Sequence, residues 1–235
     1  MIDKIVTIHQ PDFMPWLGLF NKINKADEFI ILDHVKNDPK RSSFWCRRVK
    51  MLIGGREDWM SITLKKGDQE FVPIKEMEIK IDDSAIKKFI KRVELNYKKA
   101  PFFNEMFYLV EYYFQITSTN LSERNMWFIK EVMSKLSIST PISLSSELDP
   151  QFSSNELLID LLKKRNASAY LCGGGAASYQ NDALFFKENI QVVYNQFDHP
   201  VYEQFNSDQF VKGLSIIDVL MNVGFLGTSK LLKLK

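Results

Sequence analysis

Residues 4–33 decide the fold, and they read KIVTIHQPDFMPWLGLFNKINKADEFIILD. Residues 4–9 are short, apolar and rich in β-branched side chains, a pattern that predicts a buried strand. Residues 10–15 contain two prolines and predict a loop, whereas residues 16–25 have apolar side chains near helical spacing. Residues 29–33 predict a second strand, which ends in a carboxylate. A strand, loop, helix and strand in this order predict two parallel strands joined by a right-handed crossover.

The middle of the chain changes its periodicity twice. Residues 34–82 alternate short apolar runs, such as 59–64 and 71–74, with turn residues, which predicts two or three short antiparallel strands. From Ser84 onwards, apolar residues at helical spacing predict three helices, of which the second begins at Pro101 and the third is capped by Ser122.

After Pro141 the sequence returns to alternating helices and strands. It predicts a helix after Ser154, strands at residues 169–172 and 191–194, a helix at about 180–189 and a last helix near 214–223. The whole order predicts an α/β fold with a mixed, mostly parallel sheet flanked by helices. It also predicts a short antiparallel meander and a helical insertion, at about 84–138, within a single domain covering residues 1–235.

The composition narrows the class of protein. The sequence is 45% hydrophobic and 26% charged, which is typical of a globular protein and not of a disordered one. The formal charge of +2 gives no electrostatic reason to expect nucleic acid as a partner. No apolar run approaches the roughly 20 residues of a membrane helix, and the N-terminus lacks a signal-peptide pattern.

The two cysteines, Cys46 and Cys172, predict buried thiols without a catalytic role. They lie far apart in the sequence, lack metal-ligand spacing and have no adjacent partner that would mark a thiolate nucleophile. A disulfide is not expected, and a cytoplasmic location follows. Only three histidines are present, and the sequence predicts no metal site.

Polar residues follow each predicted strand of the parallel sheet. Because ligands of such sheets bind beyond the carboxyl ends of the strands, these residues are the candidate site. The strand ends are His9-Gln10-Pro11, Asp33-His34, Cys172 with the glycines 173–175, and the segment 195–200, which contains His199.

The first strand end offers several kinds of contact. His9 is predicted to act as a general acid or base or as a donor to phosphate; alternatively, it is a neutral histidine bonded to the backbone. Gln10 offers a donor and an acceptor, and Pro11 fixes the course of the loop. Trp16 either presents a flat surface to a ring or belongs to the core. Gly18 allows a close approach by a ligand or by the neighbouring chain.

Anion contacts are predicted at two other places. Arg47 is the candidate for a bidentate contact, within a basic run that is either an anion clamp or a solvated loop. Gly173 and Gly174, between a strand and a helix, have the placement of a phosphate cradle, although a tight turn without a ligand fits equally well. The basic run comprises Lys36, Lys40, Arg41, Arg47, Arg48 and Lys50.

Asp33, at the end of the second predicted strand, either binds a hydroxyl, orients a histidine or holds a metal, or it caps a turn.

Several segments resemble the WbqC-like family. Residues 8–23 contain the family's His-Gln-Pro, followed by an aromatic residue, then Pro-Trp-x-Gly and a further aromatic residue. The similarity continues through Asp33 and the basic segment 44–50. It resumes at residues 170–174, 199–202 and 214–224, so that it spans nearly the whole chain.

Two positions depart from the family pattern. Cys46 stands before Arg47, where the family usually has Asn or His, and His34 stands where it usually has a second acidic residue. No role of an Asn–Arg or Asp–Asp pair is therefore carried over.

The resemblance implies a step in the synthesis of O-antigen, capsule or another surface glycan. It implies a transferase or ligase that adds an acyl or aminoacyl group to a nucleotide-linked amino sugar. His9, Asp33 and His199 would be catalytic. The predicted substrate-binding residues are Gln10, Pro11, Trp16, Gly18, Arg47, Gly173, Gly174, Tyr202 and Asn222.

A looser similarity links the first strand–loop–helix–strand unit to nucleotidylyltransferases. It implies ATP with magnesium as cofactors and a carboxylate activated as its adenylate. The alternative function is a non-catalytic, sugar-nucleotide-binding partner of an aminotransferase or glycosyltransferase.

Overall fold

The computed structural model of the protein describes residues 2–36, 44–65, 72–175 and 180–233. The chain forms two compact units. The first unit contains residues 1–10, 19–34 and 138–198, and the second contains residues 11–18, 35–137 and 199–235.

The secondary structure is as follows. The strands are β1 (Ile5–His9), β2 (Glu28–Ile31), β3 (Arg48–Ile53), β4 (Arg56–Ser61), β5 (Ile142–Leu144), β6 (Ala169–Gly173) and β7 (Gln191–Asn195). The helices are α1 (Leu17–Asn24), α2 (Asp83–Tyr97), α3 (Phe103–Met106), α4 (Tyr108–Gln115), α5 (Leu121–Lys135), α6 (Ser154–Lys164), α7 (Asp182–Lys187) and α8 (Ile216–Leu232). Within the described ranges, no helix is both long and apolar enough to cross a bilayer.

The first unit is built on a five-stranded sheet in the order β5-β2-β1-β6-β7, in which every pair is parallel. The centre of the sheet is apolar, since Val6, Phe29 and Ile30 are fully buried. Burial on both faces is typical of parallel sheets, whose crossover connections carry helices. The predicted α/β class with a mostly parallel sheet is confirmed.

The strand β5 is the element that the sequence did not predict. It has three residues after Pro141 and pairs with β2 through Phe29 and Ile142. All three residues are partly exposed, so the run carries no clear pattern of burial.

The second unit contains the antiparallel hairpin β3–β4, joined by the turn at Gly54-Gly55, and the helices α2–α5 and α8. The hairpin confirms the predicted antiparallel strands. The predicted short strand at 71–74 is replaced at its described end by a single 3₁₀ turn that begins at Ile74, and Phe71 lies outside the described residues.

Two helix boundaries differ from the prediction. The helix α5 is capped by the Asn120 side chain, which accepts from the Glu123 N–H at 3.0 Å, so the prediction of Ser122 as the cap was wrong. The helix predicted from Pro101 is divided into α3 and α4. The α4 helix ends where the buried Arg124 guanidinium binds the carbonyls of Tyr113, Ile116 and Ser118.

The last helix is longer than predicted. It continues to Leu232, with a kink at Gly224, where φ is 67° and ψ is −179°. The predicted end of the helix at Val223 therefore coincides with a break in the helical backbone and not with the end of the element.

Candidate functional site

The central strands β1 and β6 of the first unit form a topological switch point. The chain leaves β1 for β2 on one side, whereas it leaves β6 for β7 on the other. Ligands of open α/β sheets bind outside the carboxyl ends of two such strands. The residues His9 and Gly173 end these strands, two residues beyond the paired Thr7 and Leu171.

The His9 imidazole is held in one tautomer. Its Nδ1 lies 3.0 Å from the Gln10 carbonyl, which can only accept, so Nδ1 carries the hydrogen and Nε2 a lone pair. Burial, followed by the nearby Lys22 charge, lowers the pKa of His9 to about 3. The ligand-free imidazole is therefore neutral at pH 7, which favours a hydrogen-bond acceptor over a charged phosphate donor.

The residue Lys22 was not predicted as a site residue, although it lies beside this edge. It is 4% exposed, and its Nζ donates to the Ile8 carbonyl at 3.2 Å. Its charge also reaches Cys172, the residue before the end of β6. The signal in the sequence was its position three residues after Leu19 and one before Ile23, on the apolar side of α1.

The Asp33 carboxylate caps the turn that follows β5. It is 3% exposed and accepts from the Ser145 hydroxyl at 2.9 Å and from the Ser146 N–H and hydroxyl at 2.9 and 2.7 Å. The predicted alternative of a cap is therefore what the structure shows, and a catalytic role for Asp33 stays a prediction. The adjacent His34 is part of the same group, with Nδ1 2.6 Å from Ser145 Oγ.

The phosphate cradle predicted at Gly173 and Gly174, where β6 ends, stays a prediction. A Cβ built at Gly173 or Gly174 meets no described atom within 4 Å, so contacts with the rest of the described chain do not require glycine there. The next described helix, α7, begins at Asp182, and the Asn181 side chain already accepts from the Ala183 N–H. Residues 176–179 lie outside the description.

In the second unit, the Trp16 indole lies against the helix backbone at Gly18. A Cβ at Gly18 would be 2.2 Å from Cη2 of Trp16, so the close approach that glycine allows here is made by the protein's own tryptophan. Trp16 is also stacked near His199, with ring centroids 6.4 Å apart. The pKa of His199 is lowered by burial, and its Nδ1 donates to the Pro200 carbonyl at 3.2 Å.

The predicted residues Tyr202 and Asn222 surround the buried Asp218. The Tyr202 hydroxyl donates to Asp218 Oδ2 at 2.7 Å, and Asp218 also accepts from Tyr97 and Gln204. Asn222 donates to the Asp218 carbonyl at 2.8 Å and accepts from the Phe205 N–H at 2.9 Å. Both predicted substrate contacts therefore also hold the segment after residue 200 against α8.

The proline loop is fixed by a buried amide. Asn125 donates to the Pro11 carbonyl at 2.8 Å and to the Cys46 carbonyl at 2.7 Å, while accepting from the Tyr113 hydroxyl. The Cys46 thiol contacts Asp12 at 3.8 Å, and burial raises its pKa well above the ordinary value. This thiol is therefore protonated at neutral pH, as expected for a cysteine without a catalytic role.

Arg47 is half-buried and precedes β3. Its pKa is lowered by burial and then by the charge of the adjacent Arg48. Lys40 and Arg41 of the predicted basic run lie outside the described residues.

The predicted site residues therefore form two groups. His9, Gln10, Asp33, Gly173 and Gly174 belong to the first unit, and Pro11, Trp16, Gly18, Arg47, His199, Tyr202 and Asn222 to the second. Their union in one site, like the single domain over residues 1–235, stays a prediction. None of them lines a surface pocket of about 230 Å³ in the second unit, which contains Leu95, Lys98 and Phe205.

The comparison with known proteins decides the family. The sequence model of the WbqC-like protein family matches residues 10–229. The chain belongs to the WbqC-like protein family. It is also similar to the uncharacterized protein Rv1507c of Mycobacterium tuberculosis, with 30% identity over 224 residues, which cover 94% of each chain. No solved structure matches the chain.

The match covers nearly every candidate residue of this WbqC-like protein. It begins at Gln10, directly after His9, and includes Gly173, Gly174 and the start of α8. The resemblance found in the sequence is therefore confirmed at the level of the family.

Proposed function

We propose that this WbqC-like protein acts in the synthesis of O-antigen, capsule or a similar surface polysaccharide. In this proposal it is a cytoplasmic transferase or ligase that acylates a nucleotide-linked amino sugar. Family membership supports the biological context. The observation that carries the proposal is the switch point between β1 and β6, because sheets of this order bind nucleotides there.

The side chains at this edge suit the binding of an amine and a phosphate. The Nε2 lone pair of neutral His9 accepts a hydrogen bond from the attacking amine and orients it. The buried Lys22 places positive charge near the carboxyl ends of β1 and β6, where the sugar nucleotide's diphosphate would lie. The sugar nitrogen then bonds to the acyl carbon, the bond from that carbon to its leaving group breaks, and the amine loses one proton to solvent.

The acyl donor is either a thioester or a carboxylate activated by ATP and magnesium. In the second case, adenylate formation releases pyrophosphate before the amine attacks. Among the described residues, no three His, Cys, Asp or Glu side chains are grouped to hold a metal. Magnesium bound mainly through the phosphates of ATP needs only one or two carboxylates and is compatible with this arrangement.

Turnover of UDP-linked amino sugars tests the proposal. The purified protein is incubated with each sugar nucleotide and with an acyl thioester, or with carboxylate, ATP and magnesium, and the acylated product is measured by mass spectrometry. His9→Gln should reduce the rate by about 100-fold, because it displaces the acceptor that orients the attacking amine. Lys22→Gln should weaken substrate binding, whereas Lys25→Gln, a surface change near the same helix, should not. Absence of product with every donor contradicts the enzyme proposal.

The alternative function is a sugar-nucleotide-binding partner of an aminotransferase or glycosyltransferase. It is favoured by Asp33, whose two oxygens already accept three hydrogen bonds within the first unit. This alternative predicts that calorimetry detects binding of the sugar nucleotide without turnover, and that His9→Gln leaves the affinity within about twofold of the original.

A further inference from the structure

The outer face of the β3–β4 hairpin holds an arginine in a fixed position. The guanidinium carbon of Arg48 lies 3.8 Å from the centroid of the Trp59 ring, and Lys50 Nζ lies 5.6 Å from the same centroid. Arg48 pairs with Ser61 and Lys50 with Trp59, so Arg48 and Trp59 are diagonal neighbours on one face. A cation over an indole face is attracted by the ring's quadrupole.

The Trp59 ring holds the Arg48 guanidinium in place, but no described acceptor forms a hydrogen bond with that guanidinium. Among the described residues, no carboxylate or carbonyl accepts from its guanidinium, and its Nε is buried without a partner. The exposed Ser61 hydroxyl beside it makes no hydrogen bond within the described chain. Buried polar groups are nearly always satisfied, so an unpaired donor on a fixed arginine indicates a missing acceptor.

The surrounding charges favour an anion. The Arg48 charge lowers the pKa of Arg47, so the two guanidinium groups are close enough to interact. The acidic residues of the hairpin are already occupied: Glu57 by Lys50 at 2.8 Å, and Asp58 by Arg92. The Arg48 guanidinium, whose Nε has no acceptor among the described residues, suits a phosphate dianion, whose oxygens match the guanidinium fork.

We propose that this face binds a phosphate group, with Arg48 as the donor, Trp59 as its support and Ser61 as a second donor. The site belongs to the second unit and is independent of the function proposed for the β1–β6 edge. The ligand is a phosphate ester or a diphosphate.

Calorimetric titration with inorganic pyrophosphate tests this site. The protein should bind one pyrophosphate here, and Arg48→Gln should weaken binding by about tenfold or more, the loss expected for charge-assisted hydrogen bonds. Arg56→Gln is the matched control, because it removes the same charge from the exposed end of the same hairpin. It should change the affinity by less than about twofold. Equal losses in the two variants, or no binding by the original protein, would overturn the proposal.

Further variants separate recognition from folding. Arg48→Lys keeps the charge but loses the fork; affinity equal to the original protein's would contradict recognition of phosphate through the guanidinium fork. Trp59→Leu keeps the arginine but removes its support and should also weaken binding. Circular dichroism checks that each variant is folded. Malonate, a dicarboxylate, should bind more weakly than pyrophosphate, and the opposite order would exclude a phosphate site.

Discussion

The Ser145 hydroxyl donates to Asp33 Oδ1 at 2.9 Å and, on its other side, lies 2.6 Å from Nδ1 of His34. A hydroxyl has one hydrogen. Because that hydrogen is directed at Asp33, the His34 Nδ1 carries its own hydrogen and donates to Ser145. Asp33 and His34, which lie just beyond β2, are thereby bound to the turn after β5, so internal hydrogen bonds fix this edge of the sheet without a ligand.

Replacement of Asp33 by asparagine tests whether the carboxylate is a cap. An asparagine offers one acceptor where three donors converge and adds an N–H₂ group beside them. We expect the free energy of unfolding in urea to fall by about 1–3 kcal/mol. The control is Asp160→Asn on α6, which removes one ion pair with Lys164 and should cost about 0.5 kcal/mol or less. An Asp33→Asn protein that is fully stable but inactive would show that the carboxylate is reserved for chemistry.

The low pKa of His9 predicts a specific loss of stability in mild acid. The folded-state pKa of about 3 is below the ordinary pKa of 6.5 for a histidine, so the unfolded chain binds this proton first. The stabilisation is complete above pH 6.5 and is lost as the pH falls toward 3. Between pH 7 and pH 5 the original protein should lose about 2 kcal/mol more than His9→Gln, measured by urea unfolding at each pH. Parallel losses in the two proteins would mean that the imidazole titrates normally.

Because the Trp16 ring contacts Gly18, the effect of Gly18→Ala on the free energy of unfolding should change sign when Trp16 is replaced by alanine. Gly18→Ala alone should displace the indole and lower the free energy of unfolding by about 1–3 kcal/mol. In a Trp16→Ala background the same change meets no ring and should stabilise the protein by up to about 1 kcal/mol, through the higher helix propensity of alanine. Thermal unfolding of the four proteins measures the coupling. A loss of the same size in both backgrounds would place the obstruction elsewhere.

The fold was predictable where the pattern is local. The β-branched run before His9, the two prolines and the apolar run ending at Ile31 predicted β1, the loop and β2 without long-range information. The sequence does not predict β5, because its three residues form a strand only by pairing with β2. For the same reason the sequence does not indicate that Ser145 and Ser146, which follow β5, are the hydrogen-bond partners of Asp33.

The sequence predicted that the candidate residues lie at strand ends. It did not predict the protonation state of His9 or the hydrogen-bond partners of Tyr202 and Asn222. The sequence indicated His9 as a strand-end residue, yet its charge depends on burial and on Lys22, which lies thirteen residues later. Similarly, Tyr202 and Asn222 look like ligand contacts until Asp218 is seen between them. Polar residues alone cannot show whether their partner is a ligand or the protein.

The kink in α8 predicts that Gly224 cannot be replaced without a large loss of stability. Its φ of 67° and ψ of −179° belong to a region that only glycine adopts readily, and a Cβ there would be 2.8 Å from the Phe102 ring. The Thr228 hydroxyl donates to the Gly224 carbonyl at 2.7 Å and so satisfies it.

We therefore expect Gly224→Ala to lower the free energy of unfolding by about 3 kcal/mol or more, as the sum of backbone strain and ring overlap. Gly213→Ala is the matched control, since Gly213 also has a positive φ, of 76°, but meets nothing within 4 Å; it should cost about 1–2 kcal/mol. In a Phe102→Ala background the cost of Gly224→Ala should fall toward that of the control, because only the backbone term remains. If the cost stays unchanged in that background, the ring does not determine the kink and strain alone accounts for the glycine.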